Sequence, residues 1–152
     1  DPDPVLSGRA VEAIGVAAAR IADDDPEYVR VHLRRQMWLL SDESGGIGWR
    51  APEIMGEILY HRPQLFAEFI PIIISILDME AEDVVRFRAG ALFALGRLAQ
   101  VLPLENLRQA IPLIEPCLQN EDAQVRETAR WCLDQGCFQG LAVRPGVKAG
   151  LP

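Results

Sequence analysis

The 152-residue chain has a single lysine, Lys148, and two histidines, His32 and His61. Its 22 acidic residues outnumber 15 basic ones, for a formal net charge of −7. Proteins that grip nucleic acid draw much of their affinity from clustered Lys and Arg that neutralise phosphates, so no nucleic-acid partner is expected. Aromatic residues are only 7 %, which argues against strand-rich cores. Long apolar runs are missing too. The longest, Phe69 to Leu77, is interrupted by Pro71 and Ser75 and falls far short of the ~18 residues of a membrane-spanning helix. No membrane partner and no signal peptide are expected. Three cysteines, an odd number, do not make a disulfide framework and read as reduced thiols of a cytoplasmic protein.

Hydrophobic residues make up 49 % of the chain, and Ala and Leu dominate them. That mix favours closely packed helices, and the length suits one domain. Residue 1 is Asp and not Met, which reads as a fragment or a processed form.

Segments of the chain can be laid over one another. Ala10-Val-Glu-Ala-Ile-Gly15, Ala51-Pro-Glu-Ile-Met-Gly56 and Ala91-Leu-Phe-Ala-Leu-Gly96 share a small first residue, an apolar pair and a glycine. A fourth, Ala129-Arg-Trp-Cys-Leu-Asp134, keeps the start and the pair but has Asp for Gly. The steps are 41, 40 and 38 residues. Apolar positions at i, i+3, i+4 and i+7 make each segment one face of a helix. Glycine inside a helix costs about 0.5–1 kcal/mol relative to alanine, so its recurrence points to a repeated close contact between helices. Pro71 and Pro112 recur 41 residues apart within apolar runs and predict a kink in the first helix of each unit.

The resulting map is all-α: about three and a half helix pairs over residues 1–135, with helices at 5–21, 26–41, 47–60, 63–78, 83–101, 104–119 and 122–135. Residues 136–152, punctuated by Gly and Pro, are expected to be a tail. The helix at 5–21 reads as the second of a pair whose first is missing or lies upstream.

Phe87-Arg88-Ala-Gly-Ala91-Leu-Phe-Ala94-Leu95-Gly96-Arg-Leu98 and Val125-Arg126-Glu-Thr-Ala129-Arg-Trp-Cys132-Leu133 resemble HEAT repeats, in particular the bacterial PBS-lyase HEAT-like type. Ile47 to Ile58 matches only the apolar skeleton, with Gly48 where arginine is usual. The resemblance implies an α-α superhelix, a HEAT-like solenoid of stacked antiparallel pairs. It also implies a ladder of ion pairs between units, here Asp83, Arg86, Arg88, Asp122 and Arg126, and a concave surface formed by the second helices.

Candidate chemistry is sparse. Glu53, Glu57 and His61 are spaced four apart, enough to line one helix face and offer weak ligands to a metal, but a solvated face explains them better. The HEAT metalloenzymes use His-Glu dipeptides, which this chain lacks, and neither metal nor cofactor is expected. Cys137, at the start of the tail, stands out as the reactive thiol. The function expected is a non-catalytic interaction scaffold for a protein or peptide of basic character. Trp49, Glu53, Glu57, Arg97, Arg130 and Trp131 are the candidate contacts, with Glu12 also on the outward face. The alternative is an enzyme or enzyme subunit of the PBS-lyase or HEAT metalloenzyme type; a third reading, a HEAT-like nucleic-acid binder, is disfavoured by the net charge of −7.

Overall fold

The computed structural model describes residues 3–40, 50–79 and 87–140. They contain α1 (Pro4–Asp24), α2 (Pro26–Leu40), α3 (Ala51–His61), α4 (Ile70–Asp78), α5 (Arg88–Ala99), α6 (Leu104–Leu107), α7 (Ile111–Ile114) and α8 (Ala123–Leu133), with no strand among them. Acidic caps set several starts. Asp3 accepts the Val5 N–H ahead of α1, Asp25 the Tyr28 N–H, and Asp122 the Gln124 N–H ahead of α8. Each satisfies a donor that a helix N-terminus leaves free.

The helices form two layers. In one, α1 packs on α3, α3 on α5 and α5 on α8. In the other, α2 covers α1 and α3, α4 covers α5, and the turn Glu115–Gln119 covers α8. One apolar core, including Leu33, Met55, Phe66, Phe87, Leu95 and Leu98, lies between the layers.

Glycine sets the spacing of the first layer. A Cβ on Gly15 would lie 2.8 Å from the Cβ of Glu57, and one on Gly56 would lie 2.5 Å from the Cβ of Ala94. One on Gly96 would enter the Trp131 ring. The repeated glycine therefore works as a repeated seam between neighbouring helices.

The prolines act differently from the expected mid-helix kink. Pro71 and Pro112 each stand second in a new segment, α4 or α7, after 3-10 turns at Ala67–Phe69 and Arg108–Ala110. A proline in a helix interior loses a hydrogen bond and clashes with the carbonyl four residues back. In a first turn it does neither, so the chain restarts its helix there instead of bending one. The residues expected as a tail also begin with structure. Gly136, at φ +40°, turns the chain beneath Ala99, and Phe138 is fully buried.

The two ends of the stack differ. Val11, Pro52 and Leu92 occupy one seam position on α1, α3 and α5, and all are buried. On α8 that position is Arg130, which is exposed, and the glycine position is the exposed Asp134. The last described α-helix thus carries charge where the earlier ones carry seam contacts.

Candidate functional site

The repeat register places equivalent residues in rows across α1, α3, α5 and α8. Three residues before each glycine stand Glu12, Glu53, Phe93 and Trp131; one residue after stand Val16, Glu57, Arg97 and Gln135. Rows four residues apart lie one helical turn apart on the same face.

The second row is closed on itself. Glu57, only 1 % exposed, accepts two hydrogen bonds from Arg97, from Nε at 2.7 Å and from the terminal amino group at 3.1 Å. The Arg97 guanidinium also lies 3.6 Å from the ring centre of Tyr60, a cation–π contact. Arg97 donates to Gln100, Gln100 to Gln135, and Gln135 to the Trp131 carbonyl.

The first row is open. Phe93 and Trp131 stack with ring centres 5.4 Å apart and planes within 10°. Glu12 is exposed, while Glu53 is mostly buried. Arg50 binds Oε2 of Glu53 at 2.9 Å and Ser7 Oγ at 3.0 Å. Glu53 Oε1 lies against Gly90 with no hydrogen-bond partner. Burial pushes the Glu53 carboxyl above the ordinary range, against the opposing pull of the Arg50 hydrogen bond. A cavity of about 230 Å³ joins the four helices here, lined by Glu12, Arg50, Glu53, Phe93, Gln124 and Thr128 among others.

The candidates from sequence divide accordingly. Glu53 and Trp131 line the open row. Glu57 and Arg97, expected to face a partner, are consumed by each other, since a carboxylate at 1 % exposure requires its counter-charge. Arg130 lies at the end of the stack, off this face. Glu53, Glu57 and His61 do not converge as a ligand set: Glu53 holds Arg50, Glu57 holds Arg97, and His61 meets the Tyr60 ring edge-on. Among the described residues no three His, Cys, Asp or Glu side chains gather around a metal-sized point.

The ladder residues make local contacts. Arg88 donates to the Met79 carbonyl, and Arg126 to the carbonyls of Asn120 and Glu121, so each arginine clasps the turn before its own helix. Asp122 caps α8. Trp49, Asp83 and Arg86 lie outside the described residues. Sequence reading missed Arg50, Tyr60, Phe93, Gln100 and Gln135. Register counted from the glycines would have placed Phe93 beside Glu53 and Trp131.

Stacked helix pairs with small-residue seams define a helical repeat protein. A family model for the HEAT-like repeat matches residues 85–135, which supports a HEAT-repeat assignment. It is 31 % identical over 117 residues to an uncharacterized protein of Archaeoglobus fulgidus, across 72 % of this chain and 58 % of that protein. The chain thus spans less than two thirds of that relative's length. No solved structure matches. Among the described residues, no helix is long and apolar enough to cross a membrane.

Proposed function

We propose that the chain is a non-catalytic scaffold that binds a basic segment of another protein along the open row of α1, α3, α5 and α8. The reading rests on one observation: a single cavity draws residues from all four helices, with Glu12 and Glu53 in its lining together with Phe93, whose ring stacks on Trp131. Aromatic side chains offer a partner large contact area, and the Glu12 and Glu53 carboxylates favour a cation. The neighbouring row contributes rigidity, since its charges are already paired.

Photocrosslinking in source cells tests this reading. A benzophenone amino acid at Gln124, on the cavity rim, is expected to capture a defined protein, and Glu12→Arg to abolish the adduct. The same probe at Glu115, on the other layer, should capture nothing. Equal capture from both positions, or none from Gln124, would sink the proposal.

A further inference from the structure

Two carboxylates of α3, Glu53 and Glu57, stand one helical turn apart, and α5 answers them differently. Forty residues after Glu57 comes Arg97, and forty residues after Glu53 comes Phe93. Arg97 satisfies both oxygens of Glu57 and lies over the Tyr60 ring, so carboxylate, guanidinium and aromatic face form one unit. Around Glu53 the carboxylate and the aromatic ring are present, but α5 brings no guanidinium. Arg50, just ahead of α3, reaches Oε2 alone, and Oε1 is left without a hydrogen bond.

The charges of the open cavity do not balance either. Glu12 and Glu53 line it with two carboxylates, and Arg50 with one guanidinium. Arg50 is paired with Glu53. Glu12 is exposed and makes no hydrogen bond or ion pair with a described residue. The surplus is one negative charge, which suits one cation. Thr128 donates its hydroxyl to the Gln124 carbonyl, so toward a ligand its oxygen can only accept. The cavity, about 230 Å³, is smaller than the ~300–1,000 Å³ usual for whole small-molecule ligands. Its size suits a single side chain.

Arginine fits this lining better than lysine. A guanidinium is planar and weakly hydrated, and it stacks on an aromatic ring while donating to a carboxylate. An ammonium is a compact, strongly hydrated charge. Phe93 lines the cavity with its ring held by the stack on Trp131. One turn away, Arg97 already joins Glu57 to Tyr60 in the same combination.

We propose that the cavity receives one arginine side chain of the bound segment, its guanidinium donating to Glu12 and lying against Phe93. Glu53 adds negative charge behind it. This arginine is the recognised residue of the basic segment proposed above, so the site rests on the open row being the binding face.

The probe is a displayed library of random short peptides, panned on the whole chain. The selected sequences are expected to share an arginine, and replacing it by lysine in the synthetic peptide should weaken binding roughly two- to fivefold. Its uncharged isostere citrulline should weaken binding further. Glu12→Gln, at an exposed position, should lower affinity for the arginine peptide with circular dichroism unchanged. Phe93→Leu should bring the arginine and lysine peptides to equal affinity, a change of preference that mere loss of packing would not produce. Selected sequences without arginine, lysine binding as tightly as arginine, or arginine peptides indifferent to Glu12→Gln would each overturn the proposal. Any of these beside intact crosslinking from Gln124 leaves the scaffold reading standing, whereas loss of that crosslinking strikes the scaffold reading itself.

Discussion

Glu57 and Arg97, forty residues apart in sequence, close the seam between α3 and α5 with two hydrogen bonds, and the carboxylate is almost wholly out of water. Glu57 also carries the Cβ against which Gly15 packs, so one side chain ties three helices. Removing the arginine leaves a buried charge without its partner. Arg97→Ala is expected to lower stability by about 3–5 kcal/mol. The double variant Glu57→Leu, Arg97→Met should recover most of the loss, because apolar residues of similar volume can replace a buried pair. Urea unfolding of the three variants and the parent decides this. A double variant no better than Arg97→Ala would show that the pair is not the cause.

The glycine seams make a graded prediction. Alanine at position 56 would place its Cβ 2.5 Å from the Ala94 Cβ and 2.7 Å from the Ala94 Cα, atoms that cannot move without their helix. Gly56→Ala should cost roughly 1–3 kcal/mol, despite the helix propensity gained. Gly96→Ala meets only the outer ring atoms of Trp131, a half-buried side chain able to swing. Its cost should stay below about 1 kcal/mol, since propensity offsets part of the strain. Thermal denaturation of both variants tests the order, and a reversed order would refute the seam geometry.

Fold was legible because it is written as a period: the glycines and small residues recur wherever helices approach, and one period implies one packing rule repeated. The site was less legible because its charges do not recur. Equivalent positions hold Glu12, Glu53, Phe93 and Trp131, so chemistry changes from unit to unit while geometry is kept. Glu57 looked like a surface residue by composition. Only the seam beneath Gly15 and the distant Arg97 bury it. The contacts of Arg88 and Arg126 were hard to read from sequence for a related reason. Arg88 and Arg126 recur, but recurrence does not distinguish an acid in the next unit from a carbonyl in their own turn.

Glu53 predicts a pH effect with a definite sign. Burial raises its carboxyl above the ordinary carboxylate range, so the neutral form is favoured in the folded chain relative to the unfolded one. Its stabilising contribution is full below the unfolded value and is lost as pH rises through the folded one. Glu53→Gln abolishes this dependence. The stability of the variant relative to the parent should therefore increase as pH rises from about 4 toward neutrality. Denaturant titrations across that range measure the difference. A difference that shrinks with pH would mean that the Arg50 bond, and not burial, governs the group.

The three thiols should react in order of access and ionisation. Burial pushes all three above the ordinary thiol range, Cys132 most. Cys132 is 0 % exposed and Cys117 is 6 % exposed, whereas Cys137 is half-buried. Thiolate, not thiol, attacks disulfide reagents and alkylators. Cys137 should therefore be the first to label in the native chain, as its place after α8 suggested, yet slower than a free cysteine and faster with rising pH. Cys117 should follow more slowly, and Cys132 should label only as the chain unfolds. Mass spectrometry of timed alkylation, with and without urea, reads each site separately. Native labelling of Cys132 at the rate of Cys137 would mean that the contact between α5 and α8 opens far more often than its packing implies.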